Sequence, residues 1–303
     1  MKIGWIGAGR MGFEMAKRLA QGGCDITVWN RTRSKAEPLV AYNAKIASSL
    51  RELGRCDIVF CMVSTWDDVR EVIAGGEGML SGGGAPRIVV ECSSISVEGS
   101  AELRALLAEH GASLLAAPVS GNAKVIKAGK LSFVCSGPRA VFDEVEPLLK
   151  MIAPAAAYVG EGELARIVKI CHNVFLGVVT QSLAEITVLA QKAGVPRHAF
   201  LEFMNQSVMG STFTRYKSPA LVNLDFKVTF TPALLRKDLD LGLDAGRQHE
   251  VPMPLASLTR DLVQSMMGSG MTGQDFATLL VQQARASGIE LEPENVSVDD
   301  GLS

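Results

Sequence analysis

A glycine-rich turn near the start of the chain has the residue types that bind phosphate. Its residues are Gly7-Ala8-Gly9-Arg10-Met11-Gly12, and they lie between an apolar run and an amphipathic stretch. Backbone N–H groups at the start of a helix attract anions. We assign Gly7 to the tight turn, Gly9 to the close approach of a pyrophosphate and Gly12 to helix–strand packing. The turn predicts dinucleotide binding. The alternative is a glycine-rich turn without a ligand.

A polar stripe interrupts a long apolar stretch in the second half of the chain. Arg166, Lys169 and Asn173 are spaced three and four residues apart, which places them on one face of the predicted helix. An ammonium group beside a carbonyl oxygen stabilises developing negative charge and delivers a proton. The stripe therefore suits acid–base chemistry at a carbonyl or alcohol. The alternative is a surface lysine whose stem lies along an apolar helix.

The end of the second predicted strand indicates which dinucleotide is bound. An NAD-selective site has Asp or Glu there, accepting from the ribose 2′-hydroxyl. This chain instead has polar and basic residues, among them Asn30, Arg31, Thr32 and Lys35. A guanidinium group pairs bidentately with phosphate, so the segment predicts a 2′-phosphate and hence NADP(H), with NAD(H) as the second possibility. The alternative is a solvated turn with ordinary surface charge.

The elements that position these residues alternate along the first half of the chain. Short apolar runs separated by amphipathic stretches predict a parallel sheet flanked by helices. The predicted strands are Lys2–Ile6, Asp25–Trp29, Ile58–Met62, Arg87–Glu91, Ser113–Ala117, Leu131–Cys135 and Ala156–Val159. From residue 163 the pattern is helical, and its first helix is apolar nearly all round, which predicts a buried spine.

Three regions follow from this pattern. We predict an α/β fold with an N-terminal Rossmann-type, doubly wound parallel sheet at residues 1–162 and an all-helical domain at 163–290. The acidic tail at 291–303 has few packing residues, which predicts mobility. The apolar content of the helical domain, including Phe203 and Phe213, exceeds what one helical layer buries. It predicts a homodimer or homotetramer, with a well-packed monomer as the alternative.

Composition argues against several classes of partner. The 303 residues are 48% apolar and 20% charged, with a net charge of -2 and no basic run, so we expect no nucleic-acid partner. No apolar run reaches about 18 residues without charge, so we expect no membrane span. The six cysteines form no C-x-x-C pair and have no histidine at ligand spacing, so we expect no metal site and buried thiols in a reducing compartment. A cytoplasmic protein acting on a small molecule is the expectation.

Four stretches, in this order, resemble the β-hydroxyacid dehydrogenase family. They are Gly7–Gly12, then Ala117-Pro118-Val119-Ser120-Gly121-Asn122, then Gly160-x-Gly162 leading to Lys169-Ile170-Cys171-His172-Asn173, then Lys237-Asp238-Leu239. The family includes 3-hydroxyisobutyrate dehydrogenases, tartronate semialdehyde reductases and glyoxylate or succinic semialdehyde reductases. The resemblance covers roughly residues 1 to 290, and the joint match is more specific than any one motif.

The resemblance implies hydride transfer between nicotinamide and a small β-hydroxy acid or semialdehyde carboxylate. It implies that Lys169 is the general acid and base and that Asn173 holds the substrate oxygen. A carboxylate clamp is implied at Ser120, Gly121 and Asn122. Cofactor contacts are implied, besides the glycine turn and the segment Asn30 to Lys35, at Met62, Val63, Ser64, Ser94 and Lys237.

The chain departs from the family pattern at three positions. Ala116 replaces the usual Asp, Asn122 the usual second Gly, and His172 the first Asn of a usual pair. Because His172 is next to Asn173, we expect its ring to point about 100° away around the helix. Two other functions stay open: an imine reductase type of enzyme, and a catalytically silent NADP-binding scaffold.

Overall fold

The first part of the chain folds around a six-stranded parallel sheet. In the computed structural model, which describes residues 1–302, its strands are β1 (Lys2–Ile6), β2 (Asp25–Trp29), β3 (Lys45–Ile46), β4 (Ile58–Cys61), β5 (Ile88–Glu91) and β6 (Ser113–Ala116). They lie in the order β3-β2-β1-β4-β5-β6. The order reverses beside β1, as in doubly wound folds, and the carboxyl ends of all six strands meet at one edge. The predicted fold class is confirmed.

Side-chain alternation along the central strands fills two separate apolar cores. Trp5 and Phe60 belong to one core and stack with ring centroids 5.3 Å apart. Ile6 and Val59, their neighbours in the chain, belong to the other core. A strand buried on both faces appears in sequence as a continuous apolar run. All seven predicted strands are present, each within one residue at both ends, and this pattern explains the central ones, such as β4 and β5.

A smaller mixed sheet follows the parallel one. Its strands are β7 (Val119–Ser120), β8 (Ser132–Cys135) and β9 (Ala155–Tyr158). β7 runs antiparallel to β8, which runs parallel to β9. The sequence pattern predicted the last two strands as part of the parallel sheet. The chain leaves that sheet at Pro118, which has no N–H to continue the ladder and whose carbonyl oxygen accepts from Val134 N at 3.1 Å.

Helices connect the strands and form the second part of the chain. They are α1 (Arg10–Gln21), α2 (Trp66–Ala74), α3 (Val97–Glu109), α4 (Ala123–Lys127), α5 (Arg139–Ile152), α6 (Leu164–Lys192), α7 (Arg197–Gln206), α8 (Thr212–Asn223), α9 (Pro232–Gln248), α10 (Pro254–Gly268) and α11 (Leu279–Ala286). The chain forms two compact units, Met1–Lys169 and the helical part from Ile170 onwards. The division falls inside α6, whereas the sequence predicted a boundary after residue 162, which stays a prediction.

Helix α6 is less buried than its sequence predicted. Leu164 is 48% exposed, Phe175 68% and Leu189 69%, so only one side of the helix faces a core within this chain. The expected burial all round is wrong for these positions, because apolar character alone does not show whether a second layer covers a helix. By length and composition α6 could cross a membrane, but half of its most apolar stretch is buried, as in the core helices of soluble proteins.

The acidic tail after α11 is joined to the helical unit through the Glu294 side chain. The Glu294 carboxylate accepts from Arg197 N at 2.7 Å and from His198 N at 2.9 Å. These N–H groups open α7, and Pro196 before them has no side-chain acceptor to cap the helix. Burial alone would raise the pKa of Glu294, but the bonds from His198 and Arg197 outweigh it and lower the pKa. The sequence analysis did not foresee these contacts, because an acidic, apolar-poor segment resembles a solvated tail.

Candidate active site

The glycine turn has the geometry that a closely bound anion requires. Gly7 has a φ of +96°, and a Cβ there would lie 2.2 Å from Met62 O. A Cβ on Gly12 would lie 2.0 Å from Gly7 O. Apart from Gly9 itself and its neighbours in the chain, no atom of the described residues lies within 4 Å of the Cβ position of Gly9, the residue that caps α1. The turn is therefore tightly packed at Gly7 and Gly12 and open at Gly9, where α1 begins.

The segment after β2 is tied to this turn through one side chain. Asn30 Oδ1 accepts from Ala8 N at 2.8 Å, and its Nδ2 donates to Thr32 O at 2.8 Å. Arg31 is 85% exposed at its side chain and contacts Asp68 at 3.3 Å. Thr32 and Lys35 are exposed as well. Asn30 shapes the turn, while the basic groups beside it lie on the surface near the open side.

Two further loops are joined at the same sheet edge. Val63 N, after β4, donates to Ser93 Oγ at 2.9 Å, and Ser93 N donates to Glu91 Oε1 at 2.8 Å. Burial, followed by the Glu91 charge, raises the pKa of the Cys61 and Cys92 thiols well above the usual value, so both thiols stay neutral. Because β1, β4 and β5 are neighbours, the predicted cofactor segments at Met62–Ser64 and Ser94 lie beside the glycine turn.

The predicted carboxylate clamp follows β6 and forms a tight corner. Gly121 has a φ of +137°, and a Cβ on it would meet Val125 Cγ1 at 2.8 Å. Asn122 caps α4, its Oδ1 accepting from Lys124 N at 2.9 Å and from Val125 N at 3.1 Å. Ser120, before the corner, is half-buried. The Asn122 oxygen is thus committed to the helix, a role that Asn before a helical stretch could have revealed in the sequence.

A buried cluster that the sequence analysis did not assign to the site lies at the start of α6. Arg166 donates to Glu91 Oε2 at 2.6 Å, to Ser93 O at 2.8 Å and to Ser100 Oγ at 3.0 Å. Lys169, one turn later, is half-buried. The sequence signals for the cluster were the position of Arg166 on the polar stripe with Lys169 and an opposite charge, Glu91, at the end of an apolar run. Local patterns do not pair residues 75 positions apart.

In the helical unit a chain of four polar side chains includes Asn173. Its Nδ2 donates to Asp238 Oδ2 at 2.6 Å, and Lys237 Nζ lies 3.2 Å from Asp238 Oδ1. Because a carboxylate only accepts, Asn173 presents Nδ2 to it, and Asn173 Oδ1 then accepts from His172 Nδ1 at 2.9 Å. The expectation that the His172 ring points away from Asn173 is wrong. A flexible χ1 lets adjacent side chains meet although their Cα–Cβ bonds diverge.

Helix α6 therefore carries Lys169 and Asn173 on successive turns, with Asn173 held from both sides. Among residues 1–302, no three His, Cys, Asp or Glu side chains are grouped so that they could hold a metal ion. The glycine turn is suited to an anionic dinucleotide, and a lysine side chain can exchange a proton with an oxygen-bearing substrate.

A parallel sheet with a glycine turn after its first strand, followed by a helical unit, is typical of dinucleotide-binding proteins. Residues 2–160 match the model of the NAD binding domain of 6-phosphogluconate dehydrogenase. Residues 163–282 match the model described as NAD-binding of NADP-dependent 3-hydroxyisobutyrate dehydrogenase. The chain belongs to the NAD(P)-dependent hydroxyacid dehydrogenase family of the 3-hydroxyisobutyrate dehydrogenase type.

Individual relatives agree with this family. Glyoxylate/succinic semialdehyde reductase 2 (chloroplastic) of Arabidopsis thaliana is 30% identical, over 92% of this chain and 78% of that protein. The crystal structure of a 3-hydroxyisobutyrate dehydrogenase from Salmonella typhimurium aligns with a TM-score of 0.83 at 26% identity, over 92% of this chain and 99% of that one. An imine reductase from Myxococcus stipitatus aligns with a TM-score of 0.61 at 21% identity, over 92% and 98% of the two chains, which shows a common fold alone.

Proposed function

We propose that this oxidoreductase uses NADP(H) to interconvert a small semialdehyde carboxylate and the matching β-hydroxy acid, with Lys169 as general acid and base. The observation that carries the proposal is the pair Lys169 and Asn173 on successive turns of α6 in a chain of this family. When bound, the nicotinamide supplies or accepts the hydride. The glycine turn fits a dinucleotide, because a Cβ at Gly7 or Gly12 would collide with backbone oxygens whereas the space above Gly9 is open.

Proton transfer is the task of Lys169 in this proposal. Reduction of a carbonyl leaves negative charge on its oxygen, and the ammonium group of Lys169 stabilises that charge and gives up a proton to it. In the reverse direction the neutral amine takes the proton of the hydroxyl group. Asn173 supports the same oxygen with an amide N–H, and its contacts with Asp238 and His172 keep that amide oriented.

Substrate recognition rests on the corner after β6. Ser120 supplies a hydroxyl group, and the positive φ of Gly121 turns the backbone sharply at the point where an acid would bind. Asn122 Oδ1 is occupied as the cap of α4. The Nδ2 group of the same side chain is the donor suited to a carboxylate. This donor set favours a small anion over a neutral carbonyl compound.

The test is oxidation of NADPH by the wild type and by Lys169→Ala with glyoxylate, succinic semialdehyde, tartronate semialdehyde and methylmalonate semialdehyde. We expect turnover of one acid by the wild type and a loss of about 10²- to 10⁴-fold in kcat for Lys169→Ala. Lys192→Ala, on the same helix, is the control and keeps wild-type turnover. Reduction of cyclic imines but of no acid would favour an imine reductase, and NADPH binding without any turnover a silent scaffold.

The preference for NADP(H) is proposed from the exposed basic groups after β2. Arg31→Ala should lower kcat/KM for NADPH about 10- to 100-fold, the range for a lost charge-assisted phosphate contact, and should leave the value for NADH nearly unchanged. Arg33→Ala is the matched control, because Arg33 has a comparable ion pair, with Glu37 at 3.3 Å, but lies two residues farther along the chain from the end of β2. Equal use of NADH and NADPH by the wild type contradicts the preference.

We also propose a homodimer or homotetramer in the cytoplasm, with no nucleic-acid or membrane partner and no metal. Phe175, Leu189, Phe203 and Leu255 are each more than 60% exposed in the helical unit, and an isolated soluble chain rarely leaves so many large apolar side chains in water. Sedimentation should give a mass of two or four chains. The mass of a single chain would contradict the oligomer.

A further inference from the structure

Arg166 is a buried guanidinium group in the first turn of α6, one turn before Lys169. It is 1% exposed, and arginine is almost never fully buried unless it is paired. Its three bonds go to three different places: the side chain of Glu91, the carbonyl of Ser93 and the hydroxyl of Ser100 on α3. Three directed bonds fix both the position and the plane of the guanidinium group.

The partners of Arg166 lead to the cofactor side of the sheet. Glu91 uses its second oxygen to accept from Ser93 N, and Ser93 Oγ accepts from Val63 N. A continuous path of hydrogen bonds therefore runs from α6 through the loop after β5 to the loop after β4. Every member of the path lies within the first compact unit.

Stability alone does not account for this cluster. A buried ion pair is often replaced by apolar residues of similar volume with no loss of stability, because the attraction only offsets the desolvation of the two charges. Directed hydrogen bonds, unlike apolar contacts, fix the rotation of a helix about its axis and its position along that axis relative to a loop. The cluster joins the two segments whose relative placement matters most if Lys169 acts beside the nicotinamide.

We propose that Arg166 and Glu91 are positioning residues that couple the loops after β4 and β5 to the turn of α6 bearing Lys169. The inference rests on the proposed function of Lys169. Neither residue touches the reacting atoms in this scheme. Arg166 fixes where the Lys169 turn lies, and Glu91 holds both Arg166 and the backbone of Ser93.

Arg104 provides a matched control, because it also anchors the start of α6 with directed bonds. It donates to Glu163 Oε1 at 2.6 Å, to Gly162 O at 2.8 Å and to Leu114 O at 2.9 Å. None of these three groups belongs to the loops after β4 or β5. If anchoring the helix is all that matters, loss of Arg104 should cost as much activity as loss of Arg166.

The decisive variant is the double replacement Arg166→Met with Glu91→Leu, which removes both charges and keeps the volume. We expect it to fold with a melting temperature several degrees below that of the wild type, because Glu91→Leu also leaves the buried Ser93 N–H without its acceptor. Its kcat should fall about 100-fold, the effect of a displacement of roughly 1 Å, and its pH–rate profile should shift. Arg166→Lys, which keeps the charge beside Glu91 but loses the other two bonds, should lose about 10-fold in kcat and is informative even if the double variant fails to fold.

The proposal is overturned if Arg166→Lys and any folded double variant keep the kcat, KM and pH–rate profile of the wild type, or if Arg104→Met loses as much kcat. Fluorescence titration with NADPH separates this result from a failure of the proposed function. The dissociation constant should rise about fivefold in Arg166→Lys and stay unchanged in Arg104→Met, even if the wild type reduces no aldehyde. If the wild type reduces no aldehyde and Arg166→Lys has the same dissociation constant for NADPH as the wild type, the proposal is also overturned.

Discussion

Replacing Asp275 by Asn should destabilise the helical unit more than any surface change of the same chemistry. Asp275 is 1% exposed, and both oxygens of its carboxylate accept hydrogen bonds. Its Oδ1 accepts from Lys217 Nζ at 2.6 Å and from Ala277 N at 3.0 Å. Its Oδ2 accepts from Thr229 N at 2.9 Å, from the Thr229 hydroxyl at 2.7 Å and from Phe230 N at 3.2 Å.

The size of the effect follows from this arrangement. Whichever way an Asn side chain is turned, its NH₂ group faces at least two N–H donors and leaves them unsatisfied. Each buried unsatisfied donor costs about 1 to 3 kcal/mol, and breaking a buried pair costs about 3 to 5 kcal/mol in total. We expect a loss of about 4 kcal/mol in the free energy of unfolding. At roughly 3 °C per kcal/mol for a unit of this size, the melting temperature should fall by roughly 12 °C.

Circular dichroism during thermal and urea denaturation measures this loss. Asp225→Asn is the control, since Asp225 is exposed and pairs only with the exposed Lys227, and its effect should stay within about 0.5 kcal/mol. Equal melting temperatures for Asp275→Asn and Asp225→Asn would refute the reasoning, because the donors around Asp275 would then have no obligatory acceptor.

The same cluster predicts a dependence on pH. Burial alone would raise the pKa of Asp275, but the Lys217 charge and the hydrogen bonds from Lys217 and Thr229 outweigh it and lower the pKa. A lowered carboxyl pKa contributes stability that is present above the unfolded value of about 4 and is lost as the pH falls below it. The wild type should therefore lose stability below about pH 4 more steeply than Asp275→Asn.

Two further predictions concern the glycine turn and the tail. Gly12→Ala should abolish measurable NADPH binding in a fluorescence titration, because the added Cβ would lie 2.0 Å from Gly7 O. Gly23→Ala, at the far end of α1, is the control and should bind NADPH normally even if the protein is less stable. Tight binding by Gly12→Ala would contradict the prediction and show that the turn can shift. Glu294→Gln should lower the free energy of unfolding by about 1 kcal/mol through a weaker cap on α7, compared with no change for Glu290→Gln in urea denaturation. Because the pKa of Glu294 is lowered, the difference between the two variants should shrink as the pH falls below the ordinary carboxyl range and disappear once the pH is below that lowered pKa. A difference that does not change with falling pH would contradict a charged cap.

The fold was predictable where a local pattern decides the structure. The central strands of the parallel sheet, β1, β4 and β5, are buried on both faces, so a window of about five residues such as Lys2–Ile6 identifies them. β3 and β7 were not predicted, because two-residue strands leave no period to detect. The exposed face of α6 was not predicted either, because an apolar side chain such as Phe175 has the same sequence signal whether or not another surface covers it.

The site was predictable where a motif fixes the backbone, and not where distant residues pair. Gly7 is required by its positive φ and Gly12 by its close contact with Gly7 O, both within one turn of the chain, so their spacing identifies them. Arg166 and Glu91 lie 75 residues apart, and no local property of either shows that the other neutralises it. His172 illustrates a finer limit, since helix geometry gives the direction of the Cα–Cβ bond but not the rotamer that brings its ring to Asn173.

The strand order has a consequence for how the protein is made. Paired residues in the central part of the sheet are close in the chain: Lys2 pairs with Asp25, and Ile3 pairs with Ile58, the widest separation at 55 residues. Each later strand joins one already synthesised, as Ile58 pairs with Ile88 and Ile88 with Ser113. The sheet can thus assemble on the ribosome from its centre towards β6. The glycine turn Gly7–Gly12 is flanked by its neighbouring strands once Cys61 has emerged, long before the ribosome reaches Lys169.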